Sequence, residues 1–289
     1  MYEKIEECPV CKHTQFDNHL ICDDHSVSGE SFALVKCTKC QLIFTNPRPA
    51  KDHIIKYYQS DQYISHTDNA NSPIHFIYKL VRTYTLRQKL SLVNQYSKKG
   101  SILDYGCGTG DFLKLCNKNN WQAFGYEPDE AARSISIKKN PRSIVDSIDK
   151  LDTKLDVITA WHVIEHVHEL NMTIKSLKGK LKDGGYLFMA VPNHKSFDAE
   201  HYKEYWAAYD VPRHLYHFDQ DSMKSFASHF KLKLVDTLPM KFDSYYVSML
   251  SEKYKNGGNL LSSIRTGFQS NQSAKKTNNY SSLIYILQK

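Results

Sequence analysis

Apolar positions along the chain change period several times, and each change predicts an element. Short apolar runs at 101–105, 123–126, 143–148, 156–161, 184–193, 231–238 and 282–287 read as strands. A helical stretch at 111–116 follows the first of them, and another helix starts near Asp219. Nearer the N-terminus, residues 31–36 and 42–44 read as two further strands. Residues 51–59 and 73–96 carry apolar side chains at a spacing near 3.6, among them Leu80, Val81, Tyr84, Leu90 and Val93, and predict amphipathic helices. Tyr57, Tyr58, Tyr63 and His66 form an aromatic cluster near and between these helices, read as packing residues or as a lid. The segment 256–279 is polar with little periodicity and is expected to be a mobile loop. Strands alternating with helices imply an α/β fold: a doubly wound, mostly parallel sheet covered by helices.

Composition narrows the class. With 289 residues, 41% hydrophobic and 24% charged, the chain is neither disordered nor fibrous and is long enough for one large or two modest domains. Its longest apolar stretch, residues 157–164, contains His162 and falls far short of the roughly 18 residues a membrane span needs. The charged N-terminus has no apolar core before Cys8, so no signal peptide is expected and the cytoplasm is the expected compartment. The net charge of +7 leans toward the C-terminus, where Lys253, Lys255, Arg265, Lys275, Lys276 and Lys289 face only Glu252. Such an excess attracts nucleic acid, anionic lipid or a phosphorylated substrate, or simply keeps a domain soluble.

Seven cysteines without an export signal argue against a disulfide framework. Four of them form two CxxC pairs, Cys8/Cys11 and Cys37/Cys40. Each CxxC turn sets two thiolates on one side of a tight loop, and two turns face to face supply a closed tetrahedral site for structural zinc. The gap from Cys11 to Cys37 is longer than the usual ribbon spacing, which an extended hairpin absorbs. His13, His19 and His25 are alternative ligands, each also readable as a surface histidine. Asn46-Pro47-Arg48-Pro49 then breaks the pattern, so residues 1–48 are expected to be a zinc-ribbon-like domain and 49–95 a helical connector or lid.

The strand at 101–105 runs into Gly106-Cys107-Gly108-Thr109-Gly110 and directly into a helix, a context in which a glycine loop lets a ligand approach the backbone. A second strand ends at Glu127, about 20 residues on, where a carboxylate accepts hydrogen bonds from ribose hydroxyls. The dinucleotide fingerprint needs Gly or Ala at 111, but Asp111 stands there; Asp104, just ahead of the loop, suits a cationic ligand better than a diphosphate. Asp104-x-Gly106-x-Gly108-x-Gly110 resembles the first motif of class I S-adenosylmethionine-dependent methyltransferases. The resemblance covers about residues 95–289, so 96–289 is expected to be a Rossmann-like methyltransferase domain with an antiparallel final strand. It implies S-adenosylmethionine (SAM) as cofactor, held by Asp104, Gly106, Cys107, Gly108, Gly110, Glu127, Asp146 and Trp161, with Asp146 near the adenine.

Trp161-His162-Val163-Ile164-Glu165-His166 lies after the fourth strand, where open α/β folds keep their sites. Read alone, His162-x-x-Glu165-His166 also fits a zinc-protease pattern. The resemblance offers two further readings: a V-x-E-H-V helix start beneath the cofactor, and the divalent-ion motif E-x-x-E-H of quinone-biosynthesis O-methyltransferases, from which this chain departs at His162. Downstream, Arg213, His214 and His217 stand in a stretch that often contacts substrate in the family. Histidines there orient or deprotonate an acceptor, or pack beside Trp206; Arg213 either orients the acceptor or pairs with a structural carboxylate. The candidate bases are His162, His166 and His214. The expectation is a methyltransferase acting on an O, N or C nucleophile of a small molecule. Its alternative is a zinc-ribbon protein that binds RNA or DNA, with affinity falling steeply in salt.

Overall fold

The computed structural model describes residues 1–58 and 73–289, with side chains described again from residue 81 onward. Tyr63 and His66 of the expected aromatic cluster therefore lie outside the described residues. The first strands are β1 (Tyr2–Glu3), β2 (Phe16–Asp23), β3 (Ser31–Cys37), β4 (Ile43–Thr45) and β5 (Arg48–Pro49). β2 and β3 pair antiparallel, with a register shift between Asn18 and Leu20, and β4 continues the sheet beside β3. The long gap between the CxxC pairs is thus taken up by a hairpin. Its turn is organised by Asp24, whose carboxylate accepts the backbone N–H groups of Ser26, Val27 and Ser28. Short 3₁₀ geometry at Ile54–Tyr58 replaces the first expected helix, and Tyr57 is fully buried against Phe32.

The chain continues through α1 (Pro73–Tyr96), β6 (Ser101–Tyr105), α2 (Asp111–Lys118), β7 (Gln122–Tyr126), α3 (Glu130–Lys139), β8 (Leu155–Trp161), α4 (Leu170–Lys180) and β9 (Leu181–Pro192). There follow α5 (Phe197–Tyr202), β10 (Tyr216–His217), α6 (Gln220–His229), β11 (Lys233–Pro239), α7 (Asp243–Asn256), α8 (Leu260–Thr277) and β12 (Ser282–Gln288). The larger sheet has the strand order β11-β12-β9-β8-β6-β7, and β6 lies parallel to both β7 and β8. Opposite ends of β9 and β12 are bonded, Gly184 and Gly185 to Lys289 and Asn193 to Ser281, so β12 runs antiparallel to β9 as expected of the final strand. The expected strand at 143–148 shrinks to a single parallel bridge between Ile144 and Gly125. Ser147 ends the pairing by opening a 3₁₀ turn, its hydroxyl accepting the Asp149 N–H.

Two compact units result. One comprises the described residues up to Tyr58 with Ile164–Asn171 and Ala190–Tyr285; the other comprises α1 through Val163, Met172–Met189 and Ile286–Lys289. This division differs from the expected segments 1–48, 49–95 and 96–289. In the first unit β10 adds to the sheet of the N-terminal segment, Tyr216 pairing with Phe44 and His217 with Ile43, so residues 1–48 do not close on themselves.

The expected loop at 256–279 is a correction. It is helix α8, entered through Asn259, whose side chain accepts the Ser262 N–H, and reached from α7 through Gly257 at φ 75°. Its period is carried by Ser263, Thr266, Gly267, Ser270 and Ala274, all buried. Small polar residues on the buried face carry no hydropathy signal, and the apolar spacing of Leu260, Ile264 and Phe268 stops before the polar half 269–277, so the segment as a whole reads as polar. Among the described residues no helix is long and apolar enough to cross a membrane.

Arg213, 3% exposed, ties distant segments of the first unit together. Its guanidinium donates to Asp24 (2.9 Å), to Asp210 (2.8 Å) and to the carbonyl of Tyr57 (2.8 Å), and to the Ser26 hydroxyl. Burial alone would raise the Asp24 carboxyl, but Arg213 and the Ser28 donors hold it down at about 2. Replacing Arg213 by Met strands two carboxylates and is expected to cost about 3–5 kcal/mol of stability in a denaturant titration. Because the folded Asp24 pKa is depressed, its stabilisation is present above about pH 4 and is lost as pH falls toward 2, which acid unfolding of wild type against Asp24→Asn measures.

Candidate functional site

At the end of β6, Asp104 is 4% exposed and its Oδ1 accepts the Thr159 hydroxyl at 2.7 Å. Burial pushes its carboxyl up to about 7, against the Thr159 hydrogen bond and the positive charge of Lys89. The loop that follows is pinned through its backbone: Gly106 and Cys107 N–H both donate to the Tyr126 carbonyl, at 2.8 and 3.0 Å. Two of its glycines are demanded by space. A Cβ on Gly106 (φ 74°) would lie 2.5 Å from a Val163 methyl, and one on Gly110 (φ 77°) 2.2 Å from Ser136 Oγ. Gly108 (φ 53°) is different, because a Cβ there would meet nothing within 4 Å. The loop is therefore packed on two sides and open at its middle glycine.

Glu127 reaches back to that open glycine. One of its oxygens accepts the Gly108 N–H at 2.7 Å and the other the Asp129 N–H at 2.9 Å, leaving lone pairs on both. The Cys107 thiol is buried and pushed up to about 12, mainly by desolvation, so it packs rather than reacts. Asp111 is countered by Arg82 at 2.5 Å and Lys139 at 2.6 Å. Its charge is thus compensated, and the case against a diphosphate rests on buried Asp104. Trp161 takes the edge of Phe112, with the Lys89 ammonium 4.6 Å from its ring centre, and its indole nitrogen is buried with no hydrogen bond among the described residues. Asp146 has an 82% exposed side chain, 3.9 Å from Lys150. Pattern reading missed Thr159 and Lys89, since a single hydroxyl or amine in a strand or helix carries no motif.

In the other unit, Glu165, His166 and His214 bring their ligand atoms within 4.8 Å of one another. Glu165 is fully buried in the 3₁₀ turn Ile164–His166, and its carbonyl accepts the Leu215 N–H at 2.7 Å, which holds the two stretches together. The His166 and His214 rings meet edge to face at 4.5 Å. His166 Nδ1 lies 3.1 Å from both the Arg213 carbonyl and the Tyr58 hydroxyl, and His214 Nδ1 lies 2.9 Å from the Ala208 carbonyl. A carbonyl only accepts, so both rings donate from Nδ1, and His214 Nε2 lies 3.9 Å from an Asp210 carboxylate oxygen. Burial, and after it the neighbouring His214, lowers His166 to about 4, leaving it neutral near pH 7. His162 does not belong to this group; it sits in the second unit at φ 57°. The protease-like trio His162, Glu165, His166 is thus replaced by Glu165, His166, His214. Glu165 was visible as part of a motif, whereas its meeting with His214 depends on tertiary structure.

The four thiols of Cys8, Cys11, Cys37 and Cys40 also converge, each within 4.8 Å of the others, with Cys8 to Cys40 at 3.4 Å and Cys11 to Cys37 at 3.5 Å. Both turns end on a left-handed residue directly after the second cysteine, Lys12 at φ 62° and Gln41 at φ 64°. The group contains no histidine: His25 stacks between Tyr205 and Tyr254, and His19 lies against His194.

Comparison with known proteins agrees with this architecture. The magnesium protoporphyrin IX methyltransferase of Synechocystis PCC 6803, solved with bound SAH, superposes with a TM-score of 0.52 at 13% identity, over 82% of this chain and 98% of that one. The O-methyltransferase segment StiE, residues 961–1257, gives 0.51 at 14% identity, over 76% and 78%. In sequence, the ubiquinone biosynthesis O-methyltransferase of Yersinia pestis (strain Pestoides F) is 24% identical over 131 residues, 42% of this chain. The chain spans about half the length of the curated relatives it matches, 52%. A family model described as a methyltransferase domain matches residues 76–237, more than half of the sequence, and the chain belongs to that family.

Proposed function

We propose that the protein is a SAM-dependent methyltransferase that methylates an oxygen, nitrogen or carbon nucleophile of a small molecule. The observation that carries this reading is the open Gly108 flanked by two carboxylates of different character. Asp104, buried with its carboxyl pushed up to about 7, is drawn into the ionised form by a cationic ligand beside it, its proton going to solvent, and Glu127 has lone pairs left for ribose hydroxyls. A cradle of this kind fits a positively charged nucleoside. Gly106 and Gly110 keep the loop close to Val163 and Ser136, and Cys107 fills the space beneath it. Trp161, with its buried indole N–H, and Asp146 complete the set of cofactor residues we assign.

When bound, SAM supplies an electrophilic methyl on a sulfonium centre. The chain's own task is then alignment and exclusion of water. We assign proton removal from the acceptor to His166, which burial keeps neutral with its proton on Nδ1 and a lone pair on Nε2, and to His214 beside it. His162, in the second unit, is a candidate from the sequence motif. At the four cysteines the donor set fits zinc: separations of 3.4 and 3.5 Å approach the edge of about 3.8 Å that Zn–S bonds of about 2.3 Å produce. With four sulfurs the site has no open position, so its role is structural.

Calorimetric titration with S-adenosylhomocysteine (SAH) is expected to show micromolar affinity, with Asp104→Asn weaker by about tenfold or more. Since ionised Asp104 attracts the ligand ammonium, affinity falls as pH drops below about 7, and that slope disappears in Asp104→Asn. Absence of SAH binding by folded protein would sink the reading. Metal analysis is expected to find one zinc per chain, and a strong chelator to lower the melting temperature of wild type but not of a folded Cys37→Ser variant.

A further inference from the structure

In the helical hairpin of α7 and α8, α7 sets Val247 into the core, whereas α8 is built inside out. The buried residues of α8 are small, Ser263, Thr266, Gly267, Ser270 and Ala274; Gly267 faces Ser244 and Tyr245 of α7, and the Ser270 hydroxyl donates to Asp198 of α5 at 2.6 Å. The backbones approach so closely that a Cβ on Gly267 would lie 2.9 Å from Tyr245 Cα, and the Ser244 hydroxyl donates to the Gly267 carbonyl at 3.1 Å. The large apolar side chains of α8 point the other way. Leu260, Ile264 and Phe268 fall at i, i+4 and i+8 on one stripe of α8, exposed by 60%, 49% and 53%, with Leu261 beside them at 80%. Met249 on α7 is 43% exposed. Scattered exposed leucines need no explanation, but a continuous stripe over a seam of small residues is how helices pack when their surroundings are apolar.

Charge identifies the surroundings. Lys255, Arg265, Lys275 and Lys276 are exposed on the hairpin, while its acids are Asp243, half-buried at the start of α7, and Glu252, 3% exposed. Beside the stripe a groove of about 280 Å³ is walled by Phe242, Tyr245 and Phe268 and flanked by Lys241 and Lys275, a combination that takes an acyl chain together with an anionic headgroup. Helix α8, 18 residues long and carrying three cations, has the make-up of a helix that lies on a membrane and does not span one. We propose that this hairpin docks the protein on an anionic lipid bilayer, with Leu260, Leu261, Ile264 and Phe268 inserted beneath the headgroups. A second copy of the chain fits this face poorly, because it would set these exposed cations against the same cations, with half-buried Asp243 and buried Glu252 the acids of the two helices. Nucleic acid fits poorly too, since aliphatic Leu260, Leu261 and Ile264 give no platform for stacking bases.

The inference is independent of methyl transfer, and its test reads lipid binding alone. The full chain is sedimented with vesicles of phosphatidylcholine and with vesicles of equal parts phosphatidylcholine and phosphatidylglycerol. Binding at least about tenfold tighter to the anionic vesicles, weakened by salt, is expected. Loss of that binding is expected both in Leu261→Ser/Ile264→Ser and in Arg265→Glu/Lys275→Glu, with circular dichroism melts unchanged. A Leu261→Trp variant, which needs no loss of fold to be informative, should shift its emission to the blue on adding anionic vesicles. No binding to anionic vesicles, or an unshifted emission in Leu261→Trp, overturns the proposal. So does a dimer that Leu261→Ser/Ile264→Ser abolishes while vesicles go unbound, or RNA binding that survives that change.

Discussion

The first unit depends on one buried guanidinium. Arg213 makes charge-assisted hydrogen bonds to the hairpin turn at Asp24, to the turn at Asp210 and to the chain at Tyr57, in a setting from which water is excluded. The planar fork of five donors lets one side chain satisfy acceptors from segments far apart in sequence, which a lysine with a single ammonium does less well. The same residue's carbonyl meets His166 Nδ1 and sets its tautomer. A structural ion pair and the tautomer of a candidate base are thus properties of a single position.

In the second unit, the corresponding constraint is the strain-free placement of positive φ. Gly106, Gly108 and Gly110 all lie in the left-handed region, yet only Gly106 and Gly110 are crowded by neighbours. The crowded pair fixes the loop against Val163 and Ser136, and the uncrowded one leaves backbone accessible where Glu127 already waits. Burying Asp104 behind this loop costs solvation, and a group held near its titration point responds strongly to any charge placed beside it. The electrostatics therefore favour a cation even though Asp111 has lost its own influence to Arg82 and Lys139.

Much of this was readable in the sequence because it depends on local chemistry. Two CxxC pairs, a strand running into a glycine loop and an acid closing the next strand each keep their meaning without knowledge of the rest of the chain. What stayed hidden was set by distance or by small residues. Nothing near Ile43 announces that Tyr216 and His217 will add a strand to its sheet, and nothing near Glu165 announces His214. Helix α8 was read as a loop because its buried face is serine, threonine, glycine and alanine. The strand expected at 143–148 has apolar residues enough, but Ser147 diverts the backbone before a ladder forms.

The late arrival of β10 bears on how the chain acquires its shape during synthesis. The sheet of β2, β3 and β4 has its edge at β4 covered only by residues about 170 positions downstream. At ribosomal speeds of about 5–20 residues per second, that edge stays open for roughly 10–30 s after β4 emerges. For that interval the nascent hairpin presents bare backbone donors and acceptors, the situation in which strands pair with the wrong partner.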